Sequence, residues 1–352
     1  MRSLPRLSLT LGVFGMAIAG VATVVAQRAG APATGAAPPA DATAKIVAAA
    51  QAVSAALDDA GRQKLQFAFD NPVKGPGWSN LPVSMVARNG IKLGDLTPAQ
   101  RTAVMTLMST ALSPNGYRKV TEIMKGDETL KTNQGGRGGR GGGPMFGEDL
   151  YFLAFFGAPS TTTPWMLQFG GHHLAINLTL AGSNSSMTPS LPAAQPATYT
   201  IEGRQIRPLG RETDKAFELI NALDEKLRSQ AILSYRVADL VLGPGQDGRV
   251  IQPEGLRASA LTAAQQALLL DIIREWAGIV TDAFAEPRMA EIKANLPQTY
   301  FAWSGPTSPG SVAYFRVQGP TLVIEYAPQG NVDHIHTIYR DPTNDYGKKI
   351  AK

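Results

Sequence analysis

Residues 301–340 read FAWSGPTSPGSVAYFRVQGPTLVIEYAPQGNVDHIHTIYR, and this segment is the most informative about the fold class. Runs rich in aromatic and β-branched residues alternate with turns that contain Gly and Pro, a pattern typical of antiparallel hairpins. A related pattern lies 148 residues earlier, where residues 153–160 and 171–177 align without gaps with 301–308 and 319–325. We therefore expect two hairpin regions with the same layout.

Two helix starts repeat in the same way. Leu96-Thr-Pro-Ala-Gln100 and Leu261-Thr-Ala-Ala-Gln265 each put Thr at the N-cap and Gln three residues later, which predicts a capping box. Apolar residues at helical spacing also predict helices over 44–65 and 213–240. The predicted fold is α+β, with helices packed on antiparallel hairpins. We interpret the two copies as pseudo-repeats of a helix-then-hairpin unit, and the alternative is convergence of common capping and turn patterns.

The N-terminus has the pattern of a secretory signal peptide over residues 1–26. Arg2 and Arg6 precede an uncharged, mostly apolar run, and small residues up to Ala26 form a cleavage site. We expect an exported protein, periplasmic or secreted, with no stable membrane span after cleavage. An uncleaved segment would instead act as an N-terminal membrane anchor.

The rest of the chain divides by composition. Residues 27–43 are an Ala/Pro/Gly linker, and residues 44–352 are predicted to form a single globular α+β domain. Within that domain the glycine-rich stretch 132–147 is interpreted as an insertion into the first copy. Its residues 135–143 resemble an RNA-binding RGG segment, but a flexible loop is the preferred interpretation in an exported chain.

Composition excludes several classes of function. The chain has 352 residues and no cysteine, so disulfides, thiolate metal sites and cysteine nucleophiles are ruled out. Removing residues 1–26 takes away two arginines and no acidic residue, which lowers the net charge from +5 to +3. So small a positive charge does not favour a nucleic-acid partner, and we expect a small-molecule substrate or ligand. The oligomeric state stays open.

All four histidines lie in two short segments, as His172-His173 and His334-Ile-His336, and all four are candidate metal ligands. A two- or four-residue hairpin loop at residues 328–331 would pair positions whose numbers sum to 659, which puts Glu325 opposite His334, whereas a three-residue loop would shift this pairing. The alignment of the two copies places His173 on the corresponding face, where it would meet His334 and His336. His172 would face the other side as a packed or supporting residue, unless a kink at Gly170-Gly171 reverses its direction.

Three imidazole nitrogens with one open position are the arrangement of a catalytic metal site. The expected cofactor is a divalent metal, with Zn²⁺ favoured over Cu²⁺. The leading hypothesis is a metal-dependent enzyme, with hydrolysis at Zn²⁺ or oxidation at Cu²⁺. The alternatives are a metal-free polar active site, an exported metal or small-ligand carrier without turnover, and a structural module whose histidines bond to backbone.

Four further polar residues are candidates for catalysis, and each also has an ordinary structural interpretation. Glu325 would complete or orient the metal ligands. Arg316 or Arg340 would hold an anionic part of the substrate through two parallel hydrogen bonds. Asp345 would act as a base or as a ligand.

Several short motifs, specific only when taken together, resemble those of a mainly bacterial family known as domain of unknown function 3500. The resemblance covers about residues 45–352. It rests on these segments: Arg88-Asn-Gly90, the L-T-x-A-Q helix start, Phe156-Gly157-x-Pro159 with Trp165, Gly171-His-His-Leu174, Phe301-Ala-Trp-Ser-Gly305, Arg316-Val-Gln-Gly-Pro-Thr321, His334-Ile-His336 and Asn344-Asp-Tyr-Gly347. It implies an exported or cytosolic globular domain and carries no activity with it, so the chemistry depends on the residues themselves.

Overall fold

A computed structural model describes residues 38–133 and 145–351 of the chain. The predicted signal peptide lies outside the described residues, as do residues 27–37 of the predicted linker and 134–144 of the predicted insertion. Among the described residues, no helix is both long enough and apolar enough to cross a bilayer.

Eight helices occur in the described residues. They are α1 (Pro39–Ala56), α2 (Asp59–Leu65), α3 (Pro98–Ala111), α4 (Pro114–Asn133), α5 (Gly210–Ala222), α6 (Glu225–Ala231), α7 (Ala263–Ala277) and α8 (Asp282–Ala294). Both predicted capping boxes are confirmed, at Thr97 with Gln100 and at Thr262 with Gln265. The regular structure begins earlier than the predicted boundary at residue 44, because the hydroxyl of the buried Thr43 donates to the Gly182 carbonyl and ties the first turn of α1 to the fold.

The strands fall in two runs along the chain. They are β1 (Gln66–Phe67), β2 (Ile91–Lys92), β3 (Phe152–Phe156), β4 (Trp165–Gly170), β5 (Leu174–Ala181), β6 (Asn184–Ser186), β7 (Leu191–Pro192), β8 (Tyr199–Ile201), β9 (Arg204–Ile206), β10 (Leu256–Arg257), β11 (Tyr300–Ser304), β12 (Tyr314–Gly319), β13 (Leu322–Pro328) and β14 (Ile335–Arg340). Helices and mainly antiparallel sheets thus make an α+β fold, as the sequence predicts.

The strands form two large sheets and a small β8–β9 pair. One sheet has the order β1-β3-β4-β5-β6, with β2 added on β3 and β7 on β5, and the other has the order β10-β11-β12-β13-β14. Both predicted hairpin regions are present, as β3-β4-β5 and β11-β12-β13. That similarity of layout agrees with two pseudo-repeats, whose origin by duplication stays a prediction.

A short segment, residues 190–194, connects the two sheets. On one side Leu191 and Pro192 pair with β5, and on the other Ser190 and Ala194 form bridges to β14. Because one segment bonds to both sheets, the start of β5 and the start of β14 lie close together. The early and late histidine pairs sit at those two strand starts.

The helices cover the sheets and bury an apolar core. Helix α1 packs on α3 and α5 packs on α7, and the core includes Trp165, Trp276 and Phe301, each at most 1% exposed. The Trp276 indole donates to the Thr337 hydroxyl at 2.9 Å, which holds α7 against β14. Strands β4, β5 and β14 are buried along their whole length.

The hairpin between β13 and β14 turns two residues later than predicted. Paired residue numbers sum to 663, so Glu325 faces Ile338, and Gln329 donates its backbone N–H to the His334 carbonyl. Strand β13 extends through Pro328, and Gly330 takes the left-handed conformation, with φ of 73°, that the tight turn needs. Glu325 keeps the predicted face of the sheet, but it lies farther along the strands from His334.

Candidate metal centre

Three histidines from the two ends of the sequence come together in the structure. One ring nitrogen each from His173, His334 and His336 lies within 4.8 Å of the others. The Nε2 atoms of His173 and His334 are 3.3 Å apart, and the ring centroids of His334 and His336 are 4.7 Å apart. Ring nitrogens at these separations are typical of histidine ligands that converge on one metal ion.

Backbone pairing at the connecting segment explains this convergence. Ala193 donates its N–H to the His173 carbonyl at 2.8 Å, while Ala194 exchanges two hydrogen bonds with Ile335. Two consecutive residues therefore tie the residue before β5 to the first residue of β14. His334 and His336 flank Ile335, so their rings meet the ring of His173.

His172 lies closer to this group than strand alternation predicts. Both His172 and His173 precede β5 and follow Gly171, so they belong to a turn and do not alternate across a sheet. Their ring centroids are 3.6 Å apart, and His172 Nδ1 lies 3.3 Å from a carboxylate oxygen of Asp127. His172 is thus a neighbour of the three-histidine group and does not face the other side.

Asp127 on α4 is the acidic partner of His173. Its Oδ1 lies 2.8 Å from His173 Nδ1, and its Oδ2 accepts a hydrogen bond from the Tyr151 hydroxyl at 2.8 Å. Burial alone would raise the pKa of Asp127, but the adjacent His173 and His172 imidazoles hold that pKa well below its usual range. A carboxylate can only accept, so His173 carries its proton on Nδ1 and leaves Nε2 free as a ligand.

His336 has a similar carboxylate partner. Asp239 Oδ1 lies 3.2 Å from His336 Nδ1 and also accepts a hydrogen bond from the Gln329 side chain at 2.8 Å. The Asn80 amide nitrogen approaches the same ring, 3.0 Å from Nδ1 and 3.3 Å from Nε2. Arg88 supports Asn80 by donating to the carbonyls of the flanking residues Ser79 and Leu81.

Two of the three histidines therefore have a carboxylate beside Nδ1. For His173 this leaves Nε2 facing His334, whereas the His336 ring also has the Asn80 amide nitrogen beside both of its nitrogens. Metal-ligating histidines almost always have such a partner, because it selects the tautomer and orients the ring. Burial lowers the pKa of His173 to about 4, with a further decrease from His172, and burial and His173 lower the pKa of His334 to about 3. Both rings are neutral near pH 7, which is the form that binds a metal.

Access to the centre is from the side of His334. His173 is fully buried and His336 is 5% exposed, whereas His334 is half-buried and the Asp239 side chain is 53% exposed. The centre therefore has a protected interior and one edge near solvent.

The structure places Glu325 away from the histidines. Its carboxylate accepts the backbone N–H groups of Val241 and Leu242, at 3.0 and 2.7 Å, and the Tyr314 hydroxyl. Arg316, the residue opposite Glu325 on β12, donates to Glu254 at 2.7 Å. Both residues hold the loop 232–255 against the sheet.

Arg340 and Asp345 form a second buried pair, which contacts the same loop, residues 232–255. Arg340 donates to Asp345 at 2.8 Å, to Asp247 at 2.9 Å and to the carbonyls of Leu242 and Gly243. Arg340 is 2% exposed and Asp345 is 3% exposed. This pair fixes the part of the loop that follows Asp239, and it does not contact the three histidines.

Sequence reasoning missed Asp127, Asp239, Asn80 and Tyr151. Asp239 was missed because the sequence pattern predicts one helix over residues 213–240. In the structure the helices end at Ala231, and Asp239 lies in the loop that follows. Asp127 lies in the middle of a helix where an acidic residue is usually exposed, yet it is 1% exposed. The available signal was that α4 directly precedes the hairpin that carries His173.

Fold and centre together define an α+β protein with a buried group of histidines and carboxylates that can hold a metal ion. Residues 39–348 match the family described as Protein of unknown function (DUF3500). The chain therefore belongs to that family, which confirms the resemblance of its motifs. No curated protein and no solved structure matches the chain, so its chemistry has to be argued from the centre.

Proposed function

We propose that this protein is an exported metal-dependent enzyme, with Zn²⁺ held by His173, His334 and His336, and that it hydrolyses a small-molecule substrate. The observation that carries the proposal is the pair of carboxylate–imidazole contacts, Asp127 with His173 and Asp239 with His336. Any buried histidine needs hydrogen-bond partners, but a carboxylate at one ring nitrogen combined with convergence of the rings on one point is the arrangement of metal-ligating histidines.

The donor set fits Zn²⁺ or Cu²⁺. Three imidazoles and no thiolate suit either ion, and the half-buried His334 gives the centre one edge near solvent. When bound, Zn²⁺ acts as a Lewis acid and lowers the pKa of water to about 7.

The remaining residues have distinct roles in this proposal. Asp127 orients His173, and the half-exposed Asp239 orients His336 through Oδ1, which also accepts hydrogen bonds from Gln329 and Leu240. Asn80 supports the His336 ring through its amide nitrogen. Glu325 and Arg340 act at a distance, by holding the loop that carries Asp239.

Chelation tests the proposal directly. The purified protein is assayed on a panel of small esters, phosphoesters and amides before chelation, after chelation and after addition of Zn²⁺. We expect hydrolysis of at least one class to fall more than tenfold on chelation and to return with Zn²⁺, because Lewis acidity contributes several kcal/mol. Hydrolysis that persists in the chelated protein would contradict the proposal.

One observation favours a second candidate, an exported carrier that binds metal without turnover. His173 and His336 are almost completely buried, and such burial slows exchange and limits substrate access. Stable metal binding without hydrolysis of any substrate in the panel would support the carrier.

Export is part of the proposal and rests on the N-terminal sequence alone. The expected mature chain begins at Gln27, and N-terminal sequencing of the protein from its native host compartment checks this. Retention of residues 1–26 in the mature protein would contradict cleavage.

A further inference from the structure

A second group of possible ligands adjoins the three histidines. Asp127, His172 and His173 each offer one atom, and these atoms lie within 4.8 Å of one another. All three residues are at most 5% exposed. His173 belongs to both groups, with Nε2 facing His334 and Nδ1 facing Asp127.

The hydrogen bonding of His172 is a second observation about this group. Its buried Nδ1 lies 3.3 Å from Asp127 Oδ1, a long contact without good hydrogen-bond geometry, and has no other hydrogen-bond partner among the described residues. A buried polar atom without a partner costs about 1–3 kcal/mol, so a native structure that keeps one usually satisfies it with water or an ion.

The surroundings hold His172 in this orientation. The Phe146 ring packs on His172 with 4.7 Å between centroids, and His173 lies on it at 3.6 Å. The Tyr151 hydroxyl donates a hydrogen bond to Oδ2 of Asp127. The other oxygen, Oδ1, is therefore the one directed at the Nδ1 atoms of His172 and His173. Two imidazole nitrogens and one carboxylate oxygen converge in a buried place, a donor set suited to Zn²⁺.

We propose that Asp127, His172 and His173 bind a second divalent cation, which makes the centre binuclear with His173 as the bridging ligand. The inference rests on the proposed function, because His173 also serves the three-histidine site. Binding at the second position displaces the proton that His173 Nδ1 donates to Asp127, and that proton leaves to solvent. Oδ1 of Asp127 then exchanges a hydrogen bond for a bond to the cation.

The stoichiometry of metal binding tests the second site. Metal-free protein is titrated with Zn²⁺, and the bound metal is measured after dialysis in the parent chain, in His172→Phe and in His334→Ala. The phenylalanine keeps a ring against Phe146 and removes both nitrogens. We expect two ions per parent chain and one ion per His172→Phe chain. His334→Ala is expected to lose the ion of the three-histidine site.

Cu²⁺ loading supplies an independent readout. Two Cu²⁺ ions bridged by one deprotonated imidazole couple magnetically. The electron paramagnetic resonance intensity of the parent chain should therefore be lower than its copper content would give. His172→Phe should show the full intensity. A parent chain that saturates at one ion, with His172→Phe unchanged, would overturn the second site and leave the three-histidine site standing. A parent chain that binds no ion would overturn both.

Discussion

Replacing His173 with glutamine is expected to leave the purified protein with less than about a tenth of the metal bound by the parent chain. His173 faces both His334 and Asp127, so its loss removes a ligand from each group. Glutamine is polar and of similar size, but it cannot present two ring nitrogens in opposite directions. Elemental analysis after dialysis measures the effect.

Folding has to be checked in this variant because His173 is fully buried. Circular dichroism and thermal unfolding serve that purpose, and His334→Ala provides a second variant at a half-buried position. Parent levels of metal in both folded variants would show that the ion, if any, binds elsewhere.

Replacing Arg340 with methionine is expected to lower the free energy of unfolding by about 3–5 kcal/mol, because one charge of a buried pair is left without its partner. The buried Asp345 would keep a carboxylate without its guanidinium, and the carbonyls of Leu242 and Gly243 would lose their donor. Denaturant unfolding of the metal-free protein measures this change apart from any effect of metal.

A surface pair provides the matched control. Arg207 makes two hydrogen bonds to Asp214, but both side chains are well exposed, at 40% and 63%. Arg207→Met is expected to cost less than about 1 kcal/mol, as for other exposed ion pairs. Equal effects of the two substitutions would contradict the structural role of Arg340.

Much of the fold is predictable from the sequence because its signals are local. The capping boxes at Thr97 and Thr262 depend on contacts three residues apart, and the hairpins depend on runs of strand-forming residues between turns. Both kinds of signal also recur at similar spacing along the chain. The α+β class and the order of the elements follow from these features.

The candidate centre is less predictable because it depends on contacts between distant segments. Asp127 meets His173 across 46 residues and Asp239 meets His336 across 97 residues, and no local pattern marks either contact. The place of Glu325 depends on a turn that falls two residues later than predicted. Histidines are scarce enough in this chain to be noticed, whereas one aspartate among 28 acidic residues is not.

Anomalous diffraction at the zinc absorption edge, from crystals of the parent protein grown with Zn²⁺, would locate the bound ion. We expect a peak about 2.0–2.1 Å from one nitrogen each of His173, His334 and His336. Well-ordered imidazoles with no peak between them would contradict this expectation, as would zinc bound only at other places on the chain.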